Sequence, residues 1–242
     1  MRRHIHFDRV HNFRDVGGYP TTDEREVRWS RLYRSDSLAK LEGDDWTRFL
    51  DLGVGTVIDL RYPWEIAARG RVPAAAGLAY YNLSVEHRPY DQAALGVEVE
   101  PGPYLAARFM EVAEDGVVEL AAALRVLAGA SGPAVIHCAS GKDRTGLLAA
   151  LVLALLGVDE KYVLADFALT ELATARLVAD WRENHPDRDL AWPGYGRAPV
   201  EVMRLFLAGI EQRYGSVAGY VRDQLGVGPE VVEALRGNLL AP

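Results

Sequence analysis

The feature that most constrains this chain is a ten-residue segment with its single cysteine, His137-Cys138-Ala139-Ser140-Gly141-Lys142-Asp143-Arg144-Thr145-Gly146. The short apolar run at 133–136 precedes it and is typical of a buried strand. The nearly uniform apolar run at 147–157 follows it and has helical length. A polar loop between a strand and a helix faces unpaired N–H groups and the positive end of the helix dipole. This order therefore predicts an anion-binding loop.

The residue types in the loop indicate which anion it binds. Five residues separate Cys138 from Arg144, which allows the loop to curl until its amides converge on one point. Arg144 adds a planar donor fork that matches two oxygens of a phosphoryl group. The same field favours the thiolate form of Cys138. These properties predict a nucleophilic cysteine that attacks a phosphate ester and forms a phosphocysteine intermediate. The predicted substrate-binding residues are Ala139, Ser140, Gly141, Lys142 and Thr145, the last also placed to donate its hydroxyl to the sulfur.

The pattern Cys-x5-Arg within His-Cys-x-x-Gly-Lys-Asp-Arg-Thr-Gly resembles the active-site loop of the protein-tyrosine-phosphatase superfamily. The Lys-Asp pair before the arginine is similar to that of a bacterial tyrosine and dual-specificity group that includes phosphoinositide-capable members. Residues 12–19, Asn-Phe-Arg-Asp-Val-Gly-Gly-Tyr, resemble the N-terminal signature of that group, and 33–36, 57–61 and 214–216 resemble it more weakly. The resemblance implies a phosphotyrosine substrate, with phosphoserine, phosphothreonine and phosphoinositides as alternatives. It implies no metal and no organic cofactor.

Other interpretations of the loop fit its residues less well. A Walker loop requires glycine and Ser/Thr at positions where this chain has Ile136 and Asp143. A rhodanese-like sulfurtransferase also begins an anion-binding loop with a cysteine, but the fixed spacing to Arg144 followed by Thr145 favours the phosphatase. A phosphate-binding module without turnover (a pseudophosphatase) and a buried structural cysteine are the remaining alternatives.

The amino-acid composition argues against several classes of function and of binding site. The chain has 242 residues and a net charge of −7, which argues against a nucleic-acid partner and against general adhesion to anionic membranes. One cysteine excludes an intramolecular disulfide framework and a Cys-rich zinc site. His4 and His6 share one face of a possible strand, but we prefer surface histidines to a metal site there.

The apolar segments indicate in which cellular compartment we expect the protein. No apolar core follows the basic start of the chain, so we expect no secretory signal. The longest apolar run, 147–158, is too short to span a bilayer, and we expect no integral membrane segment. We therefore expect a cytoplasmic protein, although export without a cleaved signal leaves no such mark. The sequence predicts no particular oligomeric state.

The rest of the chain predicts an α/β fold, with a central, mainly parallel sheet flanked by helices and a helical C-terminal extension at 159–242. We expect residues 1–242 to form a single phosphatase domain. Within the extension, we expect one long helix from Asp159 to about Glu183. Residues 84–103 lose periodicity, which predicts a lid or binding loop over the pocket. In the N-terminal signature, we favour an ion pair of Arg14 and Asp15 that braces the catalytic loop over direct contact of these residues with substrate.

Phosphate-ester cleavage also needs a proton donor, and three acids are candidates. Asp143 lies inside the loop beside Arg144 and is preferred. Asp59 ends a predicted buried strand, where open α/β sheets place their chemistry, although a salt bridge to Arg61 or Arg69 explains it equally well. Asp91 lies in the predicted lid. Lys142, as a second cation in the loop, favours substrates with additional negative charge.

Overall fold

The computed structural model describes residues 3–241 and places a five-stranded sheet, in the order β1-β2-β5-β3-β4, between layers of helices. Strands β2, β5, β3 and β4 run parallel, and β1 pairs with β2 in the antiparallel sense. The strands are β1 (Arg14–Asp15), β2 (Leu32–Ser35), β3 (Thr56–Asp59), β4 (Ala79–Asn82) and β5 (Ala134–His137). The predicted α/β class with a mainly parallel sheet is confirmed.

Ten helices complete the described part of the chain: α1 (Gly43–Asp51), α2 (Pro63–Arg69), α3 (Pro101–Asp115), α4 (Val117–Gly129), α5 (Asp143–Leu155), α6 (Glu160–Ala168), α7 (Thr174–Asn184), α8 (Val200–Tyr214), α9 (Val217–Asp223) and α10 (Pro229–Leu239). Short 3-10 turns occur at Leu38–Lys40, Gln92–Ala94 and Leu169–Leu172. The predicted helical C-terminal extension is present. Within residues 3–241, no helix is both long enough and apolar enough to cross a membrane.

Strand β5 holds the central position because both of its faces are covered. Val135 packs on the side of the sheet that carries Phe49 of α1, whereas Ile136 packs on the side that carries α5. Adjacent residues of a strand point to opposite faces, so a fully apolar strand requires two buried layers. The register sets His137, the last residue of β5, opposite Ser35 and Asp59. Three parallel strands thus end at one edge of the sheet, directly before Cys138.

The C-terminal helices share one hydrophobic core with α5. Residues 147–153 of α5 are all buried, which explains why that helix lacks a polar face. Phe109 of α3 contacts Phe167 of α6 and Phe206 of α8, with ring centroids 5.9 and 5.7 Å apart. The aromatic contacts therefore join helices that come before and after the loop between β5 and α5. From this shared core we propose that residues 1–242 fold as a single domain.

The long helix expected from Asp159 to about Glu183 is wrong. The segment forms α6, a 3-10 turn and α7 in succession. The break places Thr170 in the interior, where its hydroxyl lies 3.3 Å from both Asn12 Nδ2 and Arg14 Nη2. Tertiary hydrogen bonds to Thr170 therefore outweigh the local helical periodicity, which carried no sign of them.

The shared core generates a stability prediction. Phe109→Ala removes the ring that joins three helices and should lower the free energy of unfolding by about 3–5 kcal/mol. Urea unfolding followed by tryptophan fluorescence and by far-UV circular dichroism should give coincident transitions, because one core unfolds as one unit. Val118→Ala, at a position 74 % exposed on α4, is the control and should leave the midpoint nearly unchanged. Two separate transitions would contradict the single-domain proposal.

Candidate active site

The segment 137–146, for which the sequence predicts the chemistry, forms the end of β5, a short loop and the first turn of α5. Cys138 follows the strand directly and is buried, and the helix begins at Asp143. The helix thus starts four residues before the apolar run, so that Arg144 and Thr145 lie in its first turn. Thr145 is also buried, and its hydroxyl has no hydrogen-bond partner among the described residues. An uncommitted hydroxyl at this point remains available to the sulfur or to an anion.

Gly141 is required by the turn of the loop. Its φ of +68° is in the left-handed region, which side chains other than glycine adopt with difficulty. A Cβ at this position would lie 2.4 Å from the backbone oxygen of Ser35, at the end of β2. The loop therefore passes so close to the end of β2 that position 141 has no room for a side chain.

Two side chains from other parts of the chain hold the carbonyl groups of the loop. Asn12 Nδ2 donates to the Ser140 oxygen over 2.9 Å, and Arg34 Nη2 donates to the Gly141 oxygen over 2.8 Å. Arg34 Nη1 also lies 2.5 Å from Asp166 Oδ2 on α6. With the carbonyls bound behind the loop, its N–H groups are free to face the opposite side, where an anion would bind.

The ion pair expected between Arg14 and Asp15 is wrong. Asp15 accepts the backbone N–H groups of Gly17 and Ser30, each over 2.7 Å. Arg14 instead donates to the Asp166 carbonyl over 3.0 Å, and its Nε lies 3.6 Å from Asp166 Oδ1. The two residues point to opposite faces of β1, as neighbours in a strand do. Arg14 therefore braces the loop through Asp166, whereas Asp15 fixes the adjacent turn.

Asp166 is the common partner of two fully buried arginines. Burial alone would raise the pKa of Asp166, but Arg34 and Arg14 hold it below its ordinary value. Burial and the neighbouring Arg34 lower the pKa of Arg14 to about 9. Two guanidinium groups against one carboxylate leave an excess of positive charge beneath the anion-binding loop. This charge contributes to the positive potential that the loop offers to an anion.

Arg144 is held by carboxylates from two other segments. Its Nη1 and Nη2 donate to the two carboxylate oxygens of Glu65, over 2.5 and 3.2 Å. Its Nε lies 3.7 Å from Glu86 Oε2. Burial opposes the charge of Arg144, yet Cys138, Glu65 and Glu86 keep its pKa well above the ordinary value. The guanidinium is therefore always charged, and the bidentate pair with Glu65 fixes its plane.

A cleft of about 140 Å³ opens beside Arg144 and Asp143. Its other lining residues belong to α2 and to the predicted lid segment: Tyr62, Trp64, Glu65, Glu86, Pro89, Tyr90 and Gln92. Gln92 Nε2 donates to Asp143 Oδ2 over 3.1 Å, and Gln92 Oε1 accepts from Lys142 Nζ over 3.3 Å. Lys142 Nζ is also 3.3 Å from Asp143 Oδ1. Asp143 thus faces the cleft, whereas the charge of Lys142 is already compensated.

Asp59 lies at the end of β3 in a closed polar cluster. Its carboxylate accepts from Arg61 Nε and Nη2, over 2.9 and 2.6 Å, and from the Tyr80 hydroxyl over 2.9 Å. Burial opposes its ionisation, but His137 and Arg61 hold the pKa of Asp59 below its ordinary value. His137 Nε2 is 3.5 Å from Asp59 Oδ2 on the inner side. Burial lowers the pKa of His137, and the neighbouring Asp59 carboxylate opposes that shift.

Asp91 takes no part in the cleft wall. Its Oδ1 accepts the N–H of Ala93 over 3.0 Å, and its Oδ2 pairs with Arg188, a residue after α7. For the N-terminal histidines, the region from residue 3 to residue 241 contains no cluster of three or more His, Cys, Asp or Glu side chains arranged for a metal ion.

Among the cleft residues absent from the predicted set, three form polar contacts with side chains of the loop: Glu65, Glu86 and Gln92. For Glu65 the sequence does carry a signal, since an acid two positions after Pro63 is typical of a first helical turn. Nothing local connects that turn to Arg144, which is 79 residues away. Glu86 and Gln92 lie in the aperiodic segment, where pattern analysis predicts a loop without assigning roles.

A sequence profile described as the tyrosine phosphatase family matches residues 5–241. The chain belongs to the tyrosine phosphatase family. The resemblance inferred from the catalytic loop and from residues 12–19 is therefore confirmed across nearly the whole chain.

Two relatives match along most of their length. A Cupriavidus necator protein named "Putative tyrosine-protein phosphatase" is 31 % identical, covering 99 % of this chain and 89 % of that protein. The triple specificity protein phosphatase PtpB of Mycobacterium tuberculosis is 27 % identical, covering 95 % of this chain and 96 % of PtpB. Among solved structures, P. aeruginosa TpbA is 17 % identical with a TM-score of 0.32, covering 76 % of this chain and 90 % of TpbA.

The buried contacts of Asp166 with Arg14 and Arg34 beneath the loop generate the second prediction. Asp166→Asn leaves two arginines without their carboxylate, and breaking a buried pair in this way destabilises a protein by about 3–5 kcal/mol. Unfolding by urea at pH 7 measures the change. Asp223→Asn, which removes a fully exposed partner of Arg222, is the matched control and should have no measurable effect.

The same variant has a defined pH dependence. Because the folded-state pKa of Asp166 is lowered, its stabilising contribution is complete above its unfolded pKa of about 3.9 and disappears as the pH falls below that value. The stability difference between wild type and Asp166→Asn should be constant between about pH 5 and 8 and should shrink below about pH 4. A difference that stays the same under acid conditions would show that the charge of Asp166 is not its source.

Proposed function

We propose that this phosphatase hydrolyses phosphotyrosine monoesters through a phosphocysteine formed on Cys138. The observation that carries the proposal is the position of Cys138 at the end of β5, with Arg144 in the first turn of α5 and fixed there by Glu65. Family membership supports the reaction class. Phosphate held by loop amides and a guanidinium would lie directly above the sulfur.

Arg144 retains donors for substrate while it is held. A guanidinium has five N–H donors, and Glu65 uses two of them, which leaves three. The remaining three have no hydrogen-bond partner among the described residues, although Glu86 Oε2 lies 3.7 Å from Nε, and they can donate to two equatorial oxygens of the phosphoryl group. Because Glu65 has already removed the rotational freedom of the side chain, little entropy is lost when the phosphoryl group binds.

The proposed reaction has two steps. The Cys138 thiolate attacks phosphorus, the P–O bond to the tyrosine ring breaks, and the leaving oxygen takes a proton from the Asp143 carboxyl group. Water then attacks the phosphocysteine and gives a proton to the Asp143 carboxylate, and the S–P bond breaks to restore the thiolate. Asp143 is chosen because it lines the cleft beside Arg144.

Asp59 receives a different role in this proposal. It is buried and bonded to Arg61 and Tyr80, so it is not exposed to a leaving group in the cleft. It sits 3.5 Å from His137, next to the nucleophile. We assign Asp59 to positioning His137 and the strand end, not to proton transfer.

The charges around the cleft support phosphotyrosine as the first substrate to test. Glu65, Glu86 and Asp143 line the cleft, and Lys142 is engaged by Asp143 and Gln92. Several carboxyl groups disfavour a highly charged polyphosphoinositide more than a single phosphomonoester. The name of the relative PtpB, a triple specificity phosphatase, is the reason to include phosphoserine, phosphothreonine and phosphoinositides as comparison substrates.

Two further parts of the proposal concern residues 84–103 and location. We propose that 84–103 covers the cleft, since Tyr90 and Gln92 line it and Gln92 bonds to the catalytic loop. A cytoplasmic site of action fits a free thiol nucleophile, which stays reduced in that compartment. The net charge of −7 supports the absence of a nucleic-acid partner.

The nucleophile is tested by Cys138→Ser. Turnover of an aryl phosphate, phosphotyrosine and phosphoserine peptides and phosphoinositides should fall on the order of 10⁶-fold, because the thiolate is lost. Wild-type turnover should persist in the presence of a chelator. Phosphotyrosine should be the preferred substrate of the panel. Activity that survives in Cys138→Ser would refute the mechanism, and a wild type inactive on every substrate would favour the binding module.

The proposed binding of phosphate by Arg144, and the positioning of Arg144 by Glu65, are tested by Arg144→Lys and Glu65→Gln. Lysine keeps the charge but lacks the fork, so kcat/KM should fall by about 10²–10³-fold. Glu65→Gln weakens a charged hydrogen bond worth about 1.5–3 kcal/mol, and kcat/KM should fall by about 10- to 150-fold. Arg125→Lys, whose guanidinium donates to the Gly226 carbonyl at the surface, is the control and should retain full activity. Equal activity in Glu65→Gln and wild type would contradict a positioning role for Glu65.

A further inference from the structure

One side chain from residues 84–103 contacts both charged residues where α5 begins. Gln92 Nε2 donates to Asp143 Oδ2 over 3.1 Å, and Gln92 Oε1 accepts from Lys142 Nζ over 3.3 Å. Lys142 Nζ is in turn 3.3 Å from Asp143 Oδ1, so the three side chains form a closed ring. An amide carries a donor and an acceptor, which allows it to bind a carboxylate and an ammonium group together. The reaction proposed above gives Gln92 no task.

The ring fixes the plane of the Asp143 carboxyl group. Its Oδ2 is bound by the Gln92 N–H, and its Oδ1 faces the Lys142 ammonium group. The Lys142 side chain is buried, and Gln92 Oε1 holds its ammonium group from the other side. Without the amide, one of the two contacts of Asp143 is lost, and its carboxyl group can rotate toward Lys142. Gln92 therefore determines how the acid is turned within the cleft.

Gln92 is itself held by its neighbours. Its Nε2 also donates to the Tyr90 hydroxyl over 3.0 Å, so both N–H groups and the oxygen of the amide are used. Burial and the neighbouring Asp143 raise the pKa of Tyr90 well above its ordinary value, which keeps that hydroxyl protonated. Gln92 begins a 3-10 turn, which Asp91 caps by accepting the Ala93 N–H over 3.0 Å. A side chain fixed in this way can hold a reacting group in one orientation.

We propose that Gln92 is a positioning residue that directs the carboxyl group of Asp143 toward the leaving oxygen of the substrate. The inference rests on the proposed function, because it takes Asp143 as the proton donor. Proton transfer requires hydrogen-bond geometry between the acid and the leaving oxygen, and a well-placed acid contributes about 10²–10⁴-fold to a rate. In the second step, the same contact holds the carboxylate that receives a proton from water.

A comparison of two leaving groups tests this role. Gln92→Met keeps the length of the side chain but removes the amide. In this variant kcat/KM for phenyl phosphate should fall by about tenfold, because departure of the phenol needs a proton. For p-nitrophenyl phosphate, whose leaving group is a much stronger acid, kcat/KM should change less than about twofold. Equal losses on both substrates, or no loss on either, would overturn the positioning role.

The matched control is Gln212→Met, at an exposed position on α8 outside the cleft lining. It makes the same chemical change as Gln92→Met and should alter neither value of kcat/KM. A leaving-group effect in this variant as well would show that the effect does not come from contact with Asp143, and would also overturn the proposal.

Asp143→Asn separates this inference from the proposed reaction. It should lower kcat/KM for phenyl phosphate by about 10²–10⁴-fold and that for p-nitrophenyl phosphate far less. Adding Gln92→Met to Asp143→Asn should then change kcat/KM for phenyl phosphate less than about twofold, because the group that Gln92 orients is already absent. A further tenfold loss in the double variant would overturn the role of Gln92 and leave Asp143 as the acid. Equal effects of Asp143→Asn on both substrates would instead overturn Asp143 as the proton donor, and with it this proposal.

Discussion

The arrangement of the active site depends on one buried ion pair beneath the catalytic loop. Arg34, at the end of a central strand, meets Asp166 on a helix 132 residues later and also donates to the Gly141 carbonyl. One guanidinium thus joins the sheet, the C-terminal helices and the loop. Because its charge is buried, the pair must stay intact, and the loop is held in a single conformation. The C-terminal helices therefore help to hold the loop that follows β5.

Charge is distributed in two layers around the loop. Beneath it, Arg14 and Arg34 face the single carboxylate of Asp166, which leaves positive charge in the interior. Above it, Glu65 and Glu86 lie against Arg144. This arrangement explains how an acidic protein with a net charge of −7 can present a local anion site. The positive potential is confined to the loop, and the carboxylates at the cleft restrict which anions fit.

The first turn of α2 combines several tasks in four residues. Pro63 begins the helix, and Glu65 accepts both the Tyr62 N–H and the Arg144 guanidinium. Trp64 extends from the same turn toward the cleft. A helix N-terminus is stiff, because its backbone is fixed by hydrogen bonds and by proline. Glu65, which holds Arg144, and the stacked rings of Tyr62 and Trp64 therefore keep a constant distance from each other.

The amino-acid sequence alone determined the elements that local patterns encode. The apolar run before Cys138 and the one after Gly146 defined the strand and the helix, and the spacing from Cys138 to Arg144 defined the anion-binding loop between them. Short continuous apolar runs predicted the parallel sheet as well. These features depend on residues close together in the chain, where backbone geometry and side-chain chemistry act directly.

Tertiary structure alone decided which distant side chains meet. The partner of Arg14 is Asp166 and not its neighbour Asp15, because adjacent residues of a strand point to opposite faces. The expected long helix breaks at 169–172, where Thr170 turns inward to Asn12. The carboxylates around Arg144 come from segments 58 to 79 positions away. Periodicity describes each segment separately, whereas these contacts arise only when the packed core brings the segments together.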